Sequence, residues 1–213
     1  MTSIENSPKQ WNTLWGKSVF HVPGTRGVES LYRNAVYFSA FNKLLEPAEL
    51  TAPNILEFGS GTGNNSLHLS QKYRAVEVSL VDFSGAGLAK VEKEKFLCQV
   101  ETIQEDLLSW VPSRTYTLVH STGLIEHFEG QKRLEVIQKH ADAADKQGHV
   151  MIWVPVKSRA FEVIGRFNKF MGIQEIPFTE DELRELCGQS GLRVINEEHS
   201  AFGALFGVLA EKK

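Results

Sequence analysis

A chain of 213 residues with 42% hydrophobic content and a formal charge of −3 can bury a sizeable core, so disorder over the bulk is excluded. The absence of a long basic block argues against a surface that tracks phosphates, and no nucleic-acid partner is expected. Met1 to Gln10 lacks the apolar centre of a secretory signal, and no uninterrupted apolar run reaches about 18 residues, so no membrane partner is expected and the reading is cytoplasmic. Cys98 and Cys187 are far apart without paired zinc-site spacing, which fits a reducing compartment, and both read as buried small hydrophobes.

Residues 1–50 read as a helical N-terminal cap. Leu31, Ala35, Phe38 and Leu45 share a helical face, and Pro47 follows where that helix should stop. Asn54 to Phe58 is a short apolar run that reads as a buried parallel strand. It feeds Gly59-Ser60-Gly61-Thr62-Gly63, and the helix expected from Asn64 to Tyr73 would aim its unpaired amides at whatever lies above the turn. Bare glycine backbone lets a ligand approach the main chain. Glu57, at the strand end, repels a pyrophosphate but suits a cationic or hydroxyl-bearing ligand. The glycine spacing also departs from the dinucleotide pattern Gly-x-Gly-x-x-Gly: its third glycine comes one residue early, and Asn64 stands in the expected slot. Val76 to Val81 forms the second strand and delivers Asp82, a carboxylate placed to accept hydrogen bonds from two ribose hydroxyls. Ser84 then caps a helix carrying Leu88, Val91 and Phe96.

Leu56 to Gly63, followed by Asp82 on the second strand, resembles motif I and the ribose acid of the class I, Rossmann-like S-adenosylmethionine-dependent methyltransferases, small-molecule type. Gln104-Glu105-Asp106-Leu107-Leu108 is similar to that family's segment after the third strand. Tyr116 to Ser121 is similar to its fourth strand, and Gly123 to Phe128 to the Glu-His-Phe step that follows. The resemblance covers about residues 50–211. It implies an α/β fold, a doubly wound seven-stranded and mostly parallel sheet with helices on both faces and the last strand antiparallel. Residues 51–213 would form the S-adenosylmethionine-binding domain.

Farther along, Leu134, Ile137, Ala141 and Ala144 mark an amphipathic helix before a strand from His149 to Val156. Residues 157–178 read as a lid-like insertion, with Phe161, Phe167, Phe170 and Met171 as apolar wall or packing, and Arg159, Arg166 and Lys169 as anion partners or solvated face. Thr179 and Glu182 have capping-box spacing for a helix that buries Leu183, Leu186 and Cys187 and stops at Gly191. Leu192 to Glu198 and Leu205 to Glu211 are the final strands.

By that resemblance the cofactor is S-adenosyl-L-methionine. Gly59, Gly61 and Gly63, with Ser60 and Asn64 between and after them, give the cofactor close approach. Asp82 takes the ribose, Asp106 with the Leu107 amide takes the adenine, and Phe83 is placed to stack on it. Glu57 orients the turn or the methionine ammonium. Ser121 or Thr122 sits beside the reactive end, and His127 is the candidate base, with helix capping or packing as its quieter alternative. Metal-dependent members place Glu-x-x-Glu-His here, but Gly123 replaces the first glutamate, so no metal is expected. Ser121-Thr122-Gly123-Leu124 also departs from the Asp/Asn-Pro-Pro-Tyr of base-methylating enzymes. A small-molecule acceptor is therefore expected, bounded by Trp11, Trp15, His21 and Tyr32 of the cap and by the insertion. A protein acceptor, a noncatalytic cofactor-binding module and an NAD-dependent oxidoreductase remain as alternatives.

Overall fold

The computed structural model describes residues 8–16, 37–162 and 175–213. The apolar runs become β1 (Asn54–Phe58), β2 (Glu77–Asp82), β3 (Gln99–Gln104), β4 (Tyr116–Thr122), β5 (Ala144–Pro155), β6 (Leu192–Ser200) and β7 (Leu205–Lys212). They form a single seven-stranded sheet in the order β3-β2-β1-β4-β5-β7-β6. β1 to β5 pair in parallel, whereas β7 lies antiparallel to both β5 and β6.

Around the sheet run α1 (Pro8–Gly16), α2 (Ser39–Leu44), α3 (Asn64–Tyr73), α4 (Gly85–Leu88), α5 (Gln131–Ala143) and α6 (Glu180–Gln189). Side chains alternate along each strand, so the sheet needs cover on both faces. On one face Phe58, Val119, Val150 and Ile152 pack with Val136 and Ile137 of α5 and Leu183 of α6. On the other, Ile55, Leu80, Met151 and Trp153 pack with Phe41 of α2 and Leu69 of α3. This is the expected doubly wound architecture.

The strand order sets the site. From β1 the chain winds outward to β2 and β3, then returns to the other side of β1 as β4, so crossovers diverge above the carboxyl ends of β1 and β4 and leave a crevice there.

Local signals mostly survive. Thr179 Oγ1 accepts the Glu182 N–H at 3.2 Å, and Gly191 takes a φ of +73° just past α6. Instead of completing a capping box, the Glu182 carboxylate pairs with Arg133 of α5, which also donates to the Phe128 and Ile176 carbonyls. Three expectations shift. The helix after Ser84 ends at Leu88, leaving Val91 and Phe96 beyond it, because Gly85 and Gly87 are poor helix formers and α4 presses against the glycine turn. Ala144, read as helical, is the first residue of β5, paired with Tyr116. Cys98 is only partly buried, while Cys187 is fully buried. Leu31 and Ala35 lie outside the described residues. Among the described residues, no helix is long and apolar enough to cross a membrane.

Gly207 on β7 pairs with Trp153 on β5, and a Cβ there would run into the indole. Gly207→Ala is expected to destabilise the fold by about 1–3 kcal/mol through overpacking. Urea unfolding of the two proteins would show this as a lower midpoint with an unchanged slope.

Candidate active site

The end of β1 is tied to β2 before any ligand is considered. Gly59 N and Ser60 N both donate to the Val81 carbonyl, at 2.9 and 3.2 Å. One residue later, Asp82 carries the tie onward: its Oδ2 accepts the Gly61 N–H at 2.8 Å and its Oδ1 the Ser84 N–H at 2.7 Å. One carboxylate thus clamps the glycine turn to the loop after β2. Burial raises its pKa, against the two amide bonds that lower it. Each oxygen has a further lone pair for a ligand hydroxyl.

The glycines are required by shape as well as by backbone conformation. Gly59 and Gly61 have φ of +65° and +52°, and a Cβ would stand 2.8 Å from Leu124 at the first and 2.5 Å from Trp15 at the second. A Cβ on Gly63 would meet Leu80 at 2.7 Å. Gly63 is also the N-terminal boundary of α3, with no side-chain cap.

Glu57 faces that uncapped end. It accepts from the Ser66 N–H at 3.3 Å and Asn65 Nδ2 at 3.4 Å. Its neighbour across the sheet is His120, whose Nε2 lies 2.9 Å from Ser66 Oγ and 4.0 Å from the Glu57 carboxylate. Burial pushes the Glu57 carboxyl up to about 7, with the Ser66 and Asn65 hydrogen bonds opposing it. Burial, helped by His140, drives the His120 imidazole down to about 3. The pair is therefore a neutral imidazole beside a carboxyl poised to lose its proton near neutrality, rather than a buried ion pair.

Above these residues opens a cavity of about 780 Å³, within the size range of small-molecule sites. Glu57, Gly59, Ser60, Asn64, Asp82 and Phe83 line one part of it. Asp106 and Leu107 continue the wall, and Thr122 and His127 stand at the β4 side. Two lining hydroxyls, Ser60 Oγ and Thr122 Oγ1, are buried with no hydrogen-bond partner among the described residues. Asp106 is exposed and one of its oxygens accepts the Leu108 N–H at 3.0 Å, so it shapes the loop after β3 while bordering the cavity.

Three candidates sit elsewhere. Gly61 and Gly63 lie under Trp15 and Leu80 instead of on the lining. Ser121 is fully buried behind the wall, where its hydroxyl bonds His140 Nε2 at 2.9 Å. Alternation along β4 explains this: Thr122 faces the cavity, so Ser121 faces α5. His140 also lies 2.7 Å from the Val136 carbonyl, and burial holds it down at about 4. His127, 8% exposed, meets the Trp11 ring edge-on at 4.9 Å. Glu126 turns away into the protein; burial and Glu175 push its carboxyl up to about 8, and Oε2 has no partner among the described residues. Of the cap candidates, Trp11 and Trp15 line the cavity, while His21 and Tyr32 lie outside the described residues, as do Arg166, Phe167, Lys169, Phe170 and Met171. Arg159 and Phe161 do not line the cavity. Tyr37, Leu124, Gln131 and Lys132 also line it; nothing in the local sequence pattern had separated them from their neighbours.

A family model described as a methyltransferase domain matches residues 30–197. The chain belongs to the methyltransferase-domain family. Its fold is that of the class I, Rossmann-like methyltransferases. Similar solved structures include the DhpI–SAH complex, at 17% identity over 99% of this chain and 97% of that one, with a TM-score of 0.70. Magnesium protoporphyrin IX methyltransferase (ChlM) from Synechocystis PCC 6803 with bound SAH is 16% identical over 82% of this chain and 80% of its own, with a TM-score of 0.66. A TehB-like SAM-dependent methyltransferase from Corynebacterium glutamicum ATCC 13032 is 17% identical, covering 97% of this chain and 98% of that chain, with a TM-score of 0.64. No curated protein matches the sequence.

Glu57 gives this methyltransferase-family chain a signed pH dependence. Its folded value of about 7 lies above the ordinary 4.5, so the folded state holds a proton that the unfolded chain has released, and stability falls as pH rises through that interval. Glu57→Gln has no proton to lose. It is expected to match the parent near pH 4 and to exceed it above pH 8 by something on the order of 3 kcal/mol. Urea unfolding at the two pH values checks this, and a difference independent of pH would contradict a buried protonated carboxyl.

Proposed function

We propose that the chain is an S-adenosylmethionine-dependent methyltransferase acting on a small-molecule acceptor. The observation that carries this reading is the convergence, on one cavity at the strand-order switch, of the Asp82 clamp, the Glu57 carboxyl and two buried hydroxyls with no hydrogen-bond partner among the described residues. That donor set fits an adenosyl sulfonium. Asp82 supplies acceptors for ribose hydroxyls, and Phe83 and Leu107 offer apolar surface for a purine with Asp106 beside them. Glu57, once ionised, suits the methionine ammonium, and Ser60 and Thr122 can donate to its carboxylate. An NAD-like pyrophosphate would instead face the two acids Glu57 and Asp82, which disfavour it.

The cofactor supplies a methyl group on a positively charged sulfur, already activated for attack. The chain's own task is then alignment and exclusion of water. The aromatic and aliphatic groups Trp11, Tyr37, Leu124 and Phe128 also line the cavity and favour an acceptor with an apolar body. A cavity of about 780 Å³ favours a metabolite over a protein segment. His127 is the lining imidazole placed to take a proton from an acceptor oxygen or nitrogen. Gly123 borders the cavity where a metal-binding glutamate would stand and Glu126 turns inward, which favours a mechanism without a divalent cation.

Asp82→Ala is expected to weaken S-adenosylhomocysteine binding by about 1.5–3 kcal/mol in calorimetry, through loss of charged hydrogen bonds to ribose and of the turn clamp. Unchanged affinity would remove Asp82 from the site. His127→Ala is expected to lower kcat by about 100-fold or more with cofactor affinity retained, if the imidazole acts as base. Release of S-adenosylhomocysteine across a metabolite panel reads the activity, and an undiminished rate in the variant assigns His127 to packing against Trp11.

A further inference from the structure

α1 sends two side chains, Trp11 and Trp15, to the cavity wall and a third, Asn12, to the loop after β2. The Trp15 indole occupies the space a Gly61 Cβ would take, 2.5 Å away, so the ring lies directly on the bare backbone of the glycine turn. Asn12 Oδ1 accepts from the Ser84 hydroxyl at 2.8 Å and from the Ala86 N–H at 3.2 Å. Lys90 donates to the Trp15 carbonyl at the end of the helix. At its outer end, Trp11 meets His127.

Ser84 joins these contacts to the clamp. Its backbone N–H donates to Asp82, its hydroxyl oxygen accepts the Gly87 N–H that opens α4, and the same hydroxyl donates to Asn12. The group assigned to the ribose and the group that anchors α1 are thus linked through one residue. The cavity persists beneath Trp11 and Trp15, both of which line it, so α1 roofs the site instead of filling it.

We propose that α1 is a latch over the cofactor, in which Asn12 and Trp15 are positioning residues that slow its departure and hold Trp11 against His127 at the acceptor side. The inference rests on the cofactor reading above. In this latch, lifting α1 breaks the Asn12 hydrogen bonds, uncovers the glycine turn and frees a ligand held by Asp82 beside the Trp15 indole. Such gating acts on the rate of release more than on encounter.

The test uses the full chain with S-adenosylhomocysteine as probe: stopped-flow association and dissociation, with calorimetry for the equilibrium. Asn12→Ala is expected to raise the dissociation rate about tenfold, the size of one or two lost hydrogen bonds, with little change in association rate. Trp15→Ala should do the same, and Trp15→Phe, which keeps a ring over Gly61, should restore slow release. Unchanged dissociation in both alanine variants overturns the latch and leaves the cofactor reading standing. Faster association with unchanged dissociation would make the indole an obstruction and also overturns it. If the unmodified chain does not bind the probe, the cofactor reading fails and the latch with it.

Discussion

One carboxylate holds the site together. Asp82 ends β2, yet its two oxygens accept amides from the glycine turn after β1 and from the loop that opens α4. Without those two hydrogen bonds, the Gly61 and Ser84 amides would be buried donors with lost partners, and the two loops that bound the cavity would be free to separate. Because its donors are backbone amides, the clamp positions main chain in both loops through a single side chain. The glycines, the Trp15 contact and the uncapped start of α3 all take their positions from it.

Behind the clamp lies a set of buried polar groups whose ionisation is set by loss of water. Glu57 and Glu126 are pushed up, while His120 and His140 are pushed down. Each favours its neutral form, which is what a low-dielectric interior demands of groups lacking an opposite charge. Ser66 and Ser121 absorb the two imidazoles through hydroxyl hydrogen bonds. Of these four groups Glu57 is the one on the cavity wall, so its charge is the one a cationic ligand would change.

Much of this was readable in the sequence. β1 and α3 begin and end where glycine and the apolar run place them, and Ser84 and Thr179 cap as their positions suggest. These are local effects, decided by backbone preference within a few residues. What escaped depends on contacts distant in the chain. The apolar spacing after Ser84 predicts a helix longer than Gly85–Leu88 because it takes no account of the nearby Gly61 backbone. The motif resemblance sets Ser121 beside the reactive end, but the facing of β4 depends on where α5 packs. Trp15 was recognised as cap, while its seat on Gly61, 46 residues along the chain, had no local signature. Lys132 and Gln131 reach the cavity only because α5 starts at its rim.

A cocrystal with S-adenosylhomocysteine tests the account most directly. Density for the ribose against Asp82, with the purine between Phe83 and Leu107 and the amino group toward Glu57, is the predicted result. A ligand bound elsewhere on the chain, or a ribose that leaves Asp82 untouched, would contradict the claim that this carboxylate organises the site for its cofactor.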